Sequence, residues 1–451
     1  MGLVSRLNSR MGPWIILLAA MFFGLVTYWP LSVGRGLRMN TVHPEEGGVW
    51  DAALSPDGNQ VAMMRREGFD GSSPPLHEVI EIKDVRSDKD VASFWLPPRN
   101  WKMGHQSPIQ YCDQGKYLLA FAGPDALFAI NTSTFSIHSG IALGAYLLPQ
   151  YSDHQVGSLT YVPLSSDLIV NCSADTAYVV LASWGDMQAS SVKLFDLEKG
   201  AEVADLSKAY AGRYQGDGVA ISPDGTRVAV VTWSNQLHGR EVEIIDVHGS
   251  TRASELFMGQ AKRLYPGSKD SVAFAGNNAV LIGEDRCPDG DEFCDFRPHK
   301  RVIRDWNLND LSEPQKFENL GADTYQYFSG SADGKVDFSY SGRENFCQSC
   351  NSGMGETKIG NPRFLIWDRT SRRTIAESPA LDVKRHSCFL AIGPGSCTAY
   401  EMLPEIQMSD NGKAVLVFMP FTSDDPPDRT PRPLFVFRRP LWDLMMVVRV
   451  S

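Results

Sequence analysis

The chain has 451 residues, 43% of them hydrophobic and 21% charged. That is ordinary globular composition and excludes wholesale disorder. Lys plus Arg number 43 against 53 Asp plus Glu, a net charge of −10, and so acidic a chain is a poor candidate for binding nucleic acid.

Residues 1–12 read as a short tail. Residues 11 to 34 carry no charge, and a run of that length can cross a bilayer core of about 30 Å as a helix. Trp14 and the Tyr28-Trp29 pair stand at its edges, where interfacial aromatics belong. The rival reading is a cleaved signal peptide, with Ser32 and Gly34 as the small residues before the cut. The apolar run exceeds the roughly 7–15 residues of a signal core. The expectation is therefore one transmembrane helix over 13–34 and a linker over 35–47. Two arginines flank each side (Arg6 and Arg10, Arg35 and Arg38), so charge does not orient the helix. Six of the eight cysteines form close pairs, Cys287/Cys294, Cys347/Cys350 and Cys388/Cys397. Such pairs suit disulfides in an oxidising compartment, which places the bulk of the chain outside the cytoplasm, in the periplasm or the extracellular space.

Residues 48–451 carry a repeat. Ser55-Pro56-Asp57-Gly58 returns as Ser222-Pro223-Asp224-Gly225. Weaker copies are Cys112-Asp113-Gln114-Gly115, Ser331-Ala332-Asp333-Gly334 and Ser409-Asp410-Asn411-Gly412, and degenerate ones are Ser173-Ala174-Asp175 and Gly276-Asn277-Asn278. The motif is a turn: Pro presets φ, Asp bonds the backbone ahead of it, and Gly accepts positive φ. Apolar β-formers on both sides make each copy a hairpin. A second marker, a β-run ending in Asp or Asn, follows most hairpins: Ile82-Lys83-Asp84, Ala129-Ile130-Asn131, Leu194-Phe195-Asp196, Ile244-Ile245-Asp246, Asp305-Trp306-Asn307 and Ile366-Trp367-Asp368. Phe435-Val436-Phe437-Arg438 holds the seventh place without the acid. Both markers count seven units of about 59 residues.

Four-stranded units that cannot bury both faces alone can do so around an axis. The unit from Val219 to His248, with Ile221-Ser222-Pro223-Asp224-Gly225 and Glu241-Val242-Glu243-Ile244-Ile245-Asp246-Val247, resembles the TolB-type and WD-repeat β-propellers. The resemblance covers roughly residues 48 to 440. It implies an all-β, seven-bladed β-propeller, here preceded by the transmembrane helix and carrying an insertion near 340–400. Ring closure needs a strand shared by the two ends, from the segment after Leu37 or from Met445 to Val450; the latter also reads simply as the last outer strand. No Gly-x-Ser-x-Gly elbow is present.

Aromatics recur just before the inner strands: Trp50, Trp101, Tyr161, Tyr214, Tyr265, Tyr325 and Tyr400. They either line a ligand funnel on one face or pack between blades. Asp289, Asp291, Glu292 and Asp295 lie between and beside Cys287 and Cys294, where oxygen ligands could hold Ca²⁺. The distal Glu of a twelve-residue calcium loop is missing, and a hairpin tip stapled by a disulfide is the alternative. Cys347-Gln-Ser-Cys350 with Cys388 and Cys397 has zinc-like thiols, but eight residues separate the second pair, which favours disulfides. Cys112 and Cys172 hold similar places in neighbouring units, and spacing alone does not show whether they bond. Nine scattered histidines include no His-x-His or His-x-x-x-His pair.

The reading that follows is a membrane-anchored, extracytoplasmic propeller that binds a protein or small ligand at one face as a scaffold, with no resident cofactor. The alternative is an extracytoplasmic propeller enzyme of the metal-dependent hydrolase type, with its site at the central channel.

Overall fold

A computed structural model describes residues 37–45, 49–67, 77–96, 109–122, 126–142, 155–156, 159–160, 167–184, 191–206, 214–234, 239–247, 251–257, 272–286, 300–309, 315–317, 325–346, 357–379, 381, 384–385, 401–402, 405–418 and 434–438. These residues form seven four-stranded antiparallel sheets and two short two-stranded ones. Blade 1 holds Val49–Leu54, Gln60–Glu67, His77–Asp84 and Asp90–Leu96. Blade 2 holds Gln110–Cys112, Tyr117–Ala122, Ala126–Asn131 and Ser136–Ala142. Blade 3 holds Asp167–Cys172, Tyr178–Trp184, Ser191–Asp196 and Ala201–Asp205. Blade 4 holds Tyr214–Ile221, Arg227–Ser234, Gly239–Asp246 and Thr251–Phe257. Blade 5 holds Val272–Phe274, Ala279–Arg286, Lys300–Asn307 and Gln315–Phe317. Blade 6 holds Tyr325–Gly330, Val336–Phe346, Thr357–Asp368 and Arg373–Glu377. Blade 7 joins Glu405–Met408, Ala414–Phe418 and Leu434–Arg438 to the N-terminal strand Arg38–Val42, its outermost.

Alternate residues of each second strand face opposite neighbours, as a pleat of period two requires. In blade 4, Val228 and Val230 pack toward blade 3, while Ala229 and Val231 pack toward blade 5. In blade 1, Val61 and Met63 pack against blade 7, and Ala62 and Met64 against blade 2. Seven core clusters result, each between one sheet and the next, and the last joins blade 7 back to blade 1. First strands of neighbouring sheets lie side by side. The sheets therefore stand radially in a closed ring, the architecture of a β-propeller, with the first strands innermost.

The turns after the inner strands share one bonding scheme. In blade 4, Ser222 Oγ donates to Asp224 Oδ1 at 2.6 Å and accepts from Arg227 N at 3.0 Å, while Asp224 Oδ1 accepts from Thr226 N at 3.0 Å. Blades 1 and 6 repeat it with Ser55/Asp57 and Ser331/Asp333, and blade 7 with Ser409/Asn411. The third strands end in Asx turns: Asp84 accepts from Ser87 N at 2.8 Å, Asp196 from Glu198 N at 2.9 Å, and Asp368 from Ser371 N at 2.7 Å. In blades 1, 2, 3, 4 and 6 the third–fourth strand register slips just before this residue, a bulge that re-aims the outer strand.

Blades are also pinned across their seams. Cys112 and Cys172 end the inner strands of blades 2 and 3 and form a disulfide with Cα atoms 5.4 Å apart. Arg369 of blade 6 pairs with Asp337 at 3.0 Å and with Asp305 of blade 5. Arg438 of blade 7 donates to Gly58 O and to Asn59 Oδ1 of blade 1, the latter at 2.8 Å.

Two expectations need correction. No helix among the described residues is long and apolar enough to cross a membrane, so a transmembrane helix before the propeller, and anchoring through it, have no support in the structure. The segment 13–34 itself lies outside the described residues. The stretch 35–47, expected as a linker, instead supplies a strand: Arg38–Val42 pairs antiparallel with Leu434–Arg438, Arg38 opposite Arg438. Its residues find unsatisfied edge groups on Leu434–Arg438, and Val42 and the neighbouring Leu37 are buried. The segment Met445 to Val450 lies outside the described residues.

Gly58 has φ +72°, and a Cβ there would meet Ala414 Cβ at 2.6 Å. Gly58→Ala should therefore destabilise the fold by at least about 1–3 kcal/mol in urea titration, since it adds left-handed strain and a clash at the blade 7–1 seam. The Cys112–Cys172 bond spans a sequence separation of 60. A paired Cys112→Ala/Cys172→Ala change should cost about 2–4 kcal/mol, and reductant should destabilise the wild type but not this variant.

Candidate functional site

The inner-strand turns meet around the axis. A cavity of about 540 Å³ opens there, lined by turn residues of blades 1, 2, 3, 6 and 7. Among the described residues four carboxylates line it, Asp57, Asp175, Asp333 and Asp410, and no Lys, Arg or His does. Two of them are engaged within their turns. Asp57 accepts from Ser55 Oγ and from Asn59, and these bonds hold its pKa below the usual carboxylate range against the opposing effect of burial. Asp333 accepts from Ser331 Oγ and from Lys335 Nζ, and is lowered in the same way. Asp175 is exposed and receives one long contact from Gln114 Nε2 at 3.5 Å.

Asp410 differs. It occupies the turn position held by Pro56 in blade 1 and Ala332 in blade 6. Its carbonyl accepts from Ala332 N at 2.8 Å, and the next residue, Asn411, donates its N–H to Pro56 O at 3.2 Å. The side chains of Ala332 and Pro56, the partners in these bonds, have no polar atom to offer the carboxyl, and Ser409 Oγ donates to Asn411 Oδ1 instead. Burial pushes its pKa up to about 6, and the charge of Asp175 adds to the rise. Asp337, fully buried in the blade 5–6 seam, is also pushed up to about 6 by burial, with Arg369 opposing.

One trio of carboxylates among the described residues lies within metal-binding reach: Glu45, Glu81 and Asp90, whose oxygens lie within 4.8 Å of one another. Glu81 and Asp90 sit on the third and fourth strands of blade 1 and Glu45 in the segment that leads into that blade, away from the inner-strand turns. Arg65 Nε lies 2.8 Å from Glu81, and Lys83 Nζ lies 3.0 Å from Glu81 and 2.8 Å from Asp90. Two cations thus already face three acids, and the group reads as an ion-pair network rather than a metal centre.

Of the aromatics expected to line a funnel, Tyr214 and Tyr325 open the inner strands of blades 4 and 6. They therefore stand at the end of those strands away from the cavity. Trp50 lies in the inner strand of blade 1. Trp101, Tyr161, Tyr265 and Tyr400 lie outside the described residues, as do Asp289, Asp291, Glu292 and Asp295 and the cysteines Cys287, Cys294, Cys347, Cys350, Cys388 and Cys397. Sequence reasoning marked the turns but not the cavity they enclose. The signal was available: a turn motif repeated around an axis gathers its second and third residues at one mouth, and Asp recurs there.

A carboxyl with a raised folded pKa holds its proton better in the folded state than in the unfolded one. Its stabilisation is present below the ordinary value of 3.8 and is lost as pH climbs through about 6. Asp410→Asn should therefore flatten the fall in stability between those two values by on the order of 1–2 kcal/mol, discounted because Asp410 is only half-buried. Urea unfolding of wild type and variant across this range measures the difference. Searched against protein-family models and against curated proteins, the chain matches none.

Proposed function

We propose that this protein is an extracytoplasmic binding module whose ligand seats in the cavity enclosed by the inner-strand turns. The observation that carries the reading is the cavity itself: five blades contribute to one mouth, and rigid seams hold their turns in place. A propeller supplies such a face without chemistry of its own. The disulfide between Cys112 and Cys172 supports placement in an oxidising compartment, where such bonds persist. For a metal-dependent hydrolase the cavity would need at least three convergent ligands, and the one trio within metal reach among the described residues lies elsewhere, at the outer strands of blade 1 and the segment before it, already paired with Lys83 and Arg65.

The test is a blocked cavity. Ala332 lines it, and its backbone bond to Asp410 O does not depend on its side chain. Ala332→Trp should fill the space while leaving the fold intact by circular dichroism. Capture from the extracytoplasmic fraction of the native host with wild type and variant in parallel should show a specific partner or metabolite lost with the variant. Identical captures by both would reject the cavity as the binding site.

A further inference from the structure

Third strands end in Asp or Asn in blades 1 to 6, but in blade 7 that place is held by Arg438. Directly opposite it, on the closing strand Arg38–Val42, stands Arg38. Residues so opposed share a face, with Cβ atoms about 4.5–5.5 Å apart, and like charges there are destabilising. That face looks toward blade 1: Val42, Leu434 and Val436 on it pack with Val61, Met63 and Val85. Asn59 joins the two sides, its O accepting from Val85 N at 2.8 Å and its Oδ1 from Arg438 Nη2 at 2.8 Å. Arg86, next to Val85, is exposed, and its charge reaches Arg438. Three arginines from three segments thus meet at one end of the blade 7–1 seam. Among the described residues no carboxylate lies within ion-pair distance of any of them, and Arg438 Nη1 bonds nothing. The acids whose charges reach Arg438, Asp57 and Asp84, are engaged in their own turns, Asp57 with Ser55 and Asn59, Asp84 with Ser87 and Arg86 N. Burial, with the charge of Arg86 adding, holds the Arg438 guanidinium below the usual arginine range against the pull of those two acids. The blade 5–6 seam shows the contrast, because Arg369 there sits between Asp305 and Asp337.

We propose that Arg38, Arg86 and Arg438 together bind the phosphoryl group of a small ligand, which ties the closing strand to blade 1. The opposed arginines of the closing pair call for a counter-charge that the described chain does not supply. Three planar guanidinium forks suit an anion with at least three oxygens and up to two charges, whereas one fork fills a carboxylate. The site is separate from the cavity, whose lining includes none of the three arginines, so it is independent of the function proposed above. Because the arginines belong to the closing strand, to the strand Leu434–Arg438 and to blade 1, the bound anion favours the closed ring. Free phosphate and a small phosphate monoester share this chemistry.

Calorimetric titration of the full chain at neutral pH and low ionic strength, with thermal unfolding alongside, tests it. The probes are inorganic phosphate, glycerol 3-phosphate and acetate. A phosphate probe should bind, and acetate at least about tenfold more weakly. At about ten times its dissociation constant the bound probe should raise the unfolding midpoint by about 1–3 °C. Arg38→Gln/Arg86→Gln should weaken binding by about tenfold or more and abolish that rise. Arg38→Glu places an acid opposite Arg438, so it should abolish binding while keeping the ligand-free midpoint at or above that of the wild type. Binding of inorganic phosphate alone identifies a free ion, and binding of glycerol 3-phosphate alone an organic phosphate; both support the class. Acetate bound as tightly as phosphate, unchanged binding in the double variant, or no binding of either phosphate overturns the proposal. So does a ligand-free midpoint lowered by Arg38→Glu, since the closing pair would then need no counter-charge.

Discussion

A buried serine hydroxyl governs this architecture. At the end of an inner strand it accepts the N–H of the residue five places on and donates to the carboxylate or amide two places on. Ser55, Ser222, Ser331 and Ser409 all do this, and all are buried. The bond closes the turn and fixes where the second strand begins. Because side chains alternate with period two, that starting point decides which residues face which neighbouring blade. A slip of one residue in blade 4 would exchange Val228 and Val230 with Ala229 and Val231 and empty two seams at once. The same turn presents the backbone groups that bond around the axis, so local turn chemistry and ring closure are one constraint.

The seams between blades then differ in how they are held. Blades 2 and 3 share a covalent bond, blades 5 and 6 a buried arginine between two aspartates, and blades 7 and 1 an arginine on a turn carbonyl. A buried cation with one acid missing would leave an uncompensated charge, so such pins define geometry more than they add stability. Among the described residues no hydrogen bond joins the turns of blades 1 and 2, and that junction is closed by packing instead: a Cβ at Gly115 would meet Pro56 at 3.3 Å.

Much of the sheet architecture was legible in the chain because its determinants are local. The Ser-Pro-Asp-Gly copies and the terminal Asp of third strands are turn chemistry, and each acts within five residues. The degenerate copies mark where another contact replaces the motif: Ser173 in blade 3 donates to Pro223 O of the next blade instead of to an acid of its own turn. The features left open are those assembled across the chain. Ring closure pointed to the segment after Leu37 or to Met445–Val450, and Arg38-Met39-Asn40-Thr41-Val42, without strong alternation of its own, is picked out only by its pairing with Leu434–Arg438. The Cys112–Cys172 bond depends on adjacent inner strands and not on spacing. The acidic mouth needs the ring closed, since Asp57, Asp175, Asp333 and Asp410 are distant until then. The uncharged segment near the N-terminus shows the converse risk: composition alone suggested a helix that nothing among the described residues supplies.

The strand Arg38–Val42 sets an order of events in time. Arg38 pairs with Arg438, across about 400 intervening residues. Loop closure over that distance costs roughly 2 kcal/mol more than over the 60 residues between the bonded cysteines. Blades 1 to 6 can each form as their own hairpins emerge, but the seventh cannot be completed until the last described strand has been made. Until then the face of blade 1 that carries Val61 and Met63 has no neighbour. A chain still being synthesised or exported therefore presents an open, apolar edge at its earliest-made blade for the whole of its production. Its vulnerability to aggregation belongs to that interval and not to the finished ring.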